Sequence, residues 1–128
     1  MPFMRLPNYL AQYKLNIHLH GKQFLFLCIM ITMQRFYRVH GIVQGVGYRS
    51  FVKSVADRIG VHGSVKNAED GSVEIFADAS LSKLERFEKE INVSIQNSIQ
   101  VFSIESYEVG TSALPKRRNV PEHFEIEH

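Results

Sequence analysis

The chain is nearly without cysteine, and its acidic residues are unevenly distributed. Cys28 is the single thiol among 128 residues, so no internal disulfide can form and the interior must hold the fold together. The expected setting is reducing and cytoplasmic. Residues 1–33 contain no Asp, Glu or Ser, and Arg5, Lys14 and Lys22 give this stretch a net charge of +3. Residues 34–128 hold 12 basic and 13 acidic side chains, a net of −1. The basic character therefore belongs to the leader, and the body has no electrostatic footprint for nucleic acid. A membrane-spanning helix is also missing. The strongest apolar run, Phe24–Met33, has ten residues where a bilayer core needs about 20. What is present is ordinary: 45% apolar and 22% charged residues suit one globular domain with its own core. A monomer is expected from so small and balanced a surface.

The break in composition divides the chain into a leader, residues 1–33, and a domain, residues 34–128. In the leader the apolar run comes too late for a secretory signal, and no small-residue cleavage site follows it. A transit peptide would agree with the missing acids but not with the missing serine. Two readings stand. The preferred one is an upstream stretch read from an early start codon, with Met33 the natural first residue. The other is a membrane-surface anchor or an extra packed element, because Leu19, Phe24–Leu27 and Ile29–Ile31 exposed together would favour aggregation. No stable membrane association is expected. His18 and His20 have no thiol or carboxylate cluster at ligand spacing, and no metal is assigned.

In the domain, hydrophobic periodicity marks the elements. Gln34–Val43 alternates, with Tyr37, Val39 and Val43 on one face and Phe36, Arg38, His40 and Ile42 on the other, which predicts a strand. Ser50–Arg58 has a helical stripe of Phe51, Val52, Val55, Ala56 and Ile59, with Gly60 as its stop. Ser64–Asn67 and Ser72–Ala77 predict short strands joined through Asp70-Gly71, a hairpin signal. A second helix, capped by Ser80, carries Leu81, Leu84, Phe87 and Ile91. Ile99–Val109 is a long strand whose alternation slips between Val101 and Ile104, predicting a bulge. Lys116-Arg117-Arg118 is read as a solvated turn in preference to a phosphate-recruiting patch. A short strand, Phe124–Glu127, follows Pro121. The order β-α-β-β-α-β with a terminal strand predicts an α+β, ferredoxin-like sandwich, two helices on one face of a mainly antiparallel sheet.

That fold serves enzymes, RNA binders and metal carriers alike, so the loops must carry the functional argument. Gly41-Ile-Val-Gln-Gly-Val-Gly-Tyr-Arg49 joins a strand to a helix with three glycines. Glycine lets successive amides turn inward as an anion nest, and the helix start adds unpaired donors. Arg49 can set a planar, permanently charged fork over the same anion. By spacing alone this is either a phosphate cradle or a tight turn with a solvated arginine.

The stretch Gly-Ile-Val-Gln-Gly-Val-Gly-Tyr-Arg-Ser-Phe, followed 18 residues after Arg49 by Asn67 in Gly63-Ser-Val-Lys-Asn-Ala-Glu-Asp-Gly-Ser-Val, resembles the acylphosphatase family. The likeness runs from about Gln34 to the end of the chain and includes Pro121-Glu-His-Phe-Glu-Ile126; the leader lies outside it. It implies hydrolysis of carboxyl–phosphate anhydrides to a carboxylate and inorganic phosphate, without metal or cofactor. It further implies phosphoryl binding by the backbone of Gln44, Gly45, Val46, Gly47, Tyr48 and Arg49. The catalytic arginine then corresponds to Arg49 and the water-orienting asparagine to Asn67. Expected partners are small acyl phosphates and inorganic phosphate, with no nucleic acid.

Three departures from the family pattern stand out. Ser64 follows Gly63 where the family often has an aromatic residue, which is expected to remove some packing beside the site, Gln96-Asn97-Ser98 replaces a Gly-Pro turn, and the leader is extra. The main alternative is a catalytically silent anion-binding module of the same fold. An RNA-binding sheet is a third reading, left open by Phe36 and Phe76 on the outer face. His40 and His62 flank the active elements without a visible orienting partner, and Glu69 with Asp70 reads as hairpin chemistry.

Overall fold

The computed structural model describes residues 21–23, 25 and 31–128. The readings made for His18, His20, Cys28 and most of the apolar run lie outside these residues. The elements are β1 (Thr32–Ile42), α1 (Tyr48–Ile59), β2 (His62–Asn67), β3 (Val73–Ser80), α2 (Leu81–Ile91), β4 (Gln100–Glu108) and β5 (Glu125–Glu127). The strands form one sheet in the order β4-β1-β3-β2-β5, antiparallel except for the β2–β5 pair. This is the ferredoxin-like arrangement expected from the order of elements. β1 starts at Thr32, so Thr32 and Met33 already pair with Ser80 and Ala79.

One layer of apolar side chains joins the sheet to the helices. Tyr37, Val39, Val65, Val73 and Ile75 from the strands meet Val52, Val55, Leu84, Phe87 and Ile91 from the helices, all nearly inaccessible to water. Each such side chain contributes roughly 1.5–3 kcal/mol relative to exposure. Helix α1 stops at Gly60, whose left-handed backbone returns its N–H to Ala56 O at 2.8 Å. The cap expected at Ser80 differs in detail. Ser80 occupies the N-cap with extended backbone, but its hydroxyl lies 3.3 Å from Ser82 Oγ and bonds no helix amide. The predicted slip in β4 is a bulge: Gly41 pairs with Val101 and His40 with Ser103, leaving Phe102 as the extra residue.

The outer face of the sheet is also covered. The segment after β4 folds back over it, and Leu114 packs with Phe36 and Phe76 in a second small core. Phe36 is 7% and Phe76 4% exposed. The two aromatics that left an RNA-binding sheet open are therefore unavailable for stacking on bases.

Candidate active site

Strand direction brings the candidate residues to one end of the sheet. β1 and β2 both run antiparallel to β3, and β5 runs parallel to β2, so β1, β2 and β5 all end on the same side. Val73 pairs with both Val39 and Asn67, which sets Asn67 level with the last turn of β1 before its loop. Alternation puts Asn67 on the face of the buried Val65, the face that α1 covers. Asn67 is exposed, and among the described residues its carboxamide has no protein partner.

Between β1 and α1 the chain bends through Gln44–Gly47. Gly45 and Gly47 adopt φ of 73° and 82°, the left-handed region that residues with a Cβ avoid. Gly47 is the N-cap of α1, and the first helical backbone bond is Phe51 N–H to Gly47 O at 3.1 Å. The amides of Tyr48, Arg49 and Ser50 precede that bond and have no carbonyl one turn back. The loop thus presents consecutive donors at the positive end of a helix, where an anion is favoured.

Side chains around the loop have distinct tasks. Gln44 turns its carboxamide inward, and Nε2 donates to Ala68 O at 2.7 Å and Ser72 O at 2.8 Å. Ala68 N–H in turn donates to Ser72 O, so the loop is fastened to the hairpin turn beside Asn67. That turn is closed by Asp70, whose Oδ1 accepts from Ser72 N and Oγ at 2.9 and 2.5 Å. These hydrogen bonds from the Ser72 hydroxyl and amide lower the Asp70 pKa, so the Glu69-Asp70 pair is turn chemistry as expected. Tyr48 is buried and donates its hydroxyl to Ile91 O at 2.8 Å; burial pushes its pKa well up. Its side chain fastens α1 to the end of α2, leaving only its backbone to the loop.

Arg49 extends toward β5, where Nη1 donates to Glu127 O at 3.0 Å. One turn later Lys53 donates to Phe124 O at 2.8 Å. The two cations, four residues apart on one helix face, hold the terminal strand against α1. Glu127 is level with Lys66, the residue before Asn67. The arginine, the asparagine and the amide loop are in this way brought to the same end of the sheet. The contribution of Glu127 was missed from sequence, because a backbone carbonyl leaves no residue-type signal.

The histidines lie elsewhere. His40 faces Glu105 at 3.6 Å on the outer side, and His62 Nδ1 is 2.9 Å from Glu122 O at the far end of β2. Ser64 points to the outer face, away from Asn67. Among the described residues no group of three or more His, Cys, Asp or Glu could hold a metal ion, and no helix is long and apolar enough to cross a membrane.

The Acylphosphatase family profile matches residues 35–126. An acylphosphatase of Thermotoga petrophila is 52% identical over 54 residues, 42% of this chain and 60% of that protein. The chain therefore spans less than two thirds of the length of that curated relative. The crystal structure of acylphosphatase from Bacillus subtilis is 33% identical, with a TM-score of 0.61, covering 77% of this chain and all of that one. HypF from T. kodakarensis is 26% identical with a TM-score of 0.60, again over 77% of this chain but only 12% of HypF. A match that begins inside β1 and ends inside β5 takes in part or all of every strand and both α1 and α2, and makes this chain a member of the acylphosphatase family.

Proposed function

We propose that this chain hydrolyses the carboxyl–phosphate anhydride of small acyl phosphates, releasing a carboxylate and inorganic phosphate. The observation that supports the reading is that the glycine loop before α1 and the partner-free Asn67 carboxamide lie at the ends of β1 and β2, which point the same way, with Arg49 reaching β5 on that side. Phosphoryl transfer through a loose transition state needs charge stabilisation and an in-line nucleophile more than covalent help. The loop amides and Arg49 meet the phosphoryl oxygens. Asn67 accepts from a water while donating to a phosphoryl oxygen, and so aims the water at phosphorus. The water oxygen bonds to phosphorus as the bond to the carboxylate oxygen breaks. The water proton goes to the substrate's own phosphate, and the acyl carboxylate leaves with the bonding pair. A strong general base is not required with so good a leaving group. The reading includes no metal or cofactor, no nucleic-acid partner, and a cytoplasmic monomer.

The test is benzoyl phosphate hydrolysis by the full chain with EDTA present. Removing one preorganised donor costs about 2.7–4 kcal/mol of barrier, so Arg49→Ala and Asn67→Ala should each lower turnover about 100-fold or more. A folded wild-type protein that binds phosphate without turnover would favour the second reading, the catalytically silent module. That reading draws support from the recurrence of this fold as a small part of HypF.

A further inference from the structure

The outer face of the sheet, opposite the candidate active site, contains a pocket of about 260 Å³ built from two cross-strand rows. Phe36 pairs with Phe76 and Phe76 with Ser64; one step along, Arg38 pairs with Glu74 and Glu74 with Lys66. The first row ends in a serine where two large rings precede it, and the missing side-chain volume opens the pocket. Ala113 and Arg118, from the segment that crosses the outer face, close it from above.

The charges in this pocket favour an anion. Glu74 is shared by Arg38 and Lys66, each at 3.7 Å, and one carboxylate cannot neutralise two cations. Arg118 stacks over the Phe76 ring at 4.8 Å, and among the described residues its guanidinium has no carboxylate partner. Its backbone is fixed from below by Gln34, which is 4% exposed: Arg118 N–H donates to Gln34 Oε1 at 2.9 Å, and Gln34 Nε2 donates to Arg118 O at 2.8 Å. The same amide reaches Asp78 at 2.9 Å, and Arg117 lies 3.8 Å from that carboxylate. The turn is exposed, as read from the sequence, and it is also anchored by a buried side chain, with Arg117 near a carboxylate and Arg118 over a ring. A planar cation on an anchored backbone, beside the small uncovered part of Phe36 and Phe76, suits a small anion that carries some apolar surface. Glu127 on the rim adds an exposed carboxylate that sets a limit on ligand charge. The volume lies just under the roughly 300–1,000 Å³ of drug-sized sites, which restricts the occupant to a small metabolite.

We propose that this pocket is a second ligand site, distinct from the amide loop, that takes a small organic phosphate through Arg118, Lys66 and Arg38. The proposal does not depend on the hydrolytic reading, because it concerns the other face of the sheet. Phenyl phosphate, which has no anhydride to cleave, is the probe, and amide NMR of the full chain is the readout. In an Arg49→Ala background the amides of Glu74, Phe76, Ala113 and Arg118 should still shift saturably. Arg118→Ala should weaken that event about tenfold or more, as expected for loss of a charge-assisted contact. Ser64→Phe should fill the pocket and abolish it, while benzoyl phosphate hydrolysis by both variants on the wild-type background stays unchanged. Should Ser64→Phe fail to fold, Lys66→Ala takes its place, with weaker binding expected. Inorganic phosphate should bind more weakly than phenyl phosphate; equal affinity would remove the role of the apolar lining and overturn the organic-phosphate assignment. Shifts confined to residues 44–49 and lost with Arg49→Ala, or affinity indifferent to Arg118→Ala, would overturn the site.

Discussion

Gln44 holds Ala68: its carboxamide nitrogen donates to the Ala68 carbonyl at 2.7 Å, one residue beyond Asn67. A second bond to Ser72 O makes the glycine loop and the hairpin turn a single rigid unit. Relative placement of the amide nest and Asn67 is thus set by a side chain that itself points away from solvent. Gln44→Ala leaves two carbonyls without this donor and should reduce stability by about 1–3 kcal/mol. Turnover of benzoyl phosphate should fall by about tenfold, because misplacement of positioning groups acts on the barrier. Gln44→Glu should be worse, since a carboxylate faces two carbonyl oxygens; urea melts and steady-state kinetics on both variants check the order.

Arg49 depends on β5. Deleting residues 125–128 removes the carbonyl that receives Arg49 and the parallel ladder beside β2. The guanidinium then samples many rotamers, and turnover should fall about 10- to 100-fold. Lys53→Ala removes the neighbouring tie to Phe124 O and an exposed pair with Asp57, and should cost far less activity. Equal losses in the two variants would sink the positioning role of Glu127 O.

Gly63 is required by close approach rather than by the site. Its φ is +138°, and a Cβ there would lie 1.9 Å from Phe76 O, a backbone atom that cannot move aside. Gly63→Ala should destabilise the fold by about 3 kcal/mol or more, combining strain with a broken β2–β3 ladder. The denaturant midpoint measures it, and turnover per folded molecule should change little.

Glu85 gives a pH-dependent prediction. Burial raises its pKa above the usual carboxylate value, and its Oε1 is buried without a hydrogen-bond partner. The folded state therefore binds this proton more tightly than the unfolded chain does. Stability from this group is present below the unfolded pKa and is lost as pH rises through the folded one. Glu85→Gln should raise Tm at pH 7, and the gain should vanish in acid, where the wild-type carboxyl is itself protonated. Melts across pH 3–8 test the sign.

Much of this was legible along the chain. The alternation of Tyr37 and Val39 with Phe36 and Arg38 identified β1 and its inner face, and the slip between Val101 and Ile104 bracketed the bulge that the structure places at Phe102. These signals are local: they come from periodicity and from backbone preferences within a few residues. Glycines at 45 and 47 and an arginine at a helix start left a cradle and a tight turn both open, and Asn67 entered only through the family resemblance. The hydroxyl of Ser80 escaped such reasoning, because a nearby serine draws it from the helix amides. So did the coverage of Phe36 and Phe76, since strand alternation cannot reveal that a later segment returns to bury the outer face.

The sequence by itself determined the order of elements, the face of each that enters the core, and the residue types available for anion binding, because hydrophobic period and glycine placement act over short range. Only the tertiary structure decided that Arg49 meets the carbonyl of Glu127, that Gln44 fastens the loop to the hairpin, and that Arg118 stands over Phe76 beside Ser64. Those contacts join residues 24 to 78 positions apart, or strands that are neighbours only through the sheet order, and several end on backbone carbonyls. A carbonyl is the same in every residue, so its position becomes information only once the chain has folded.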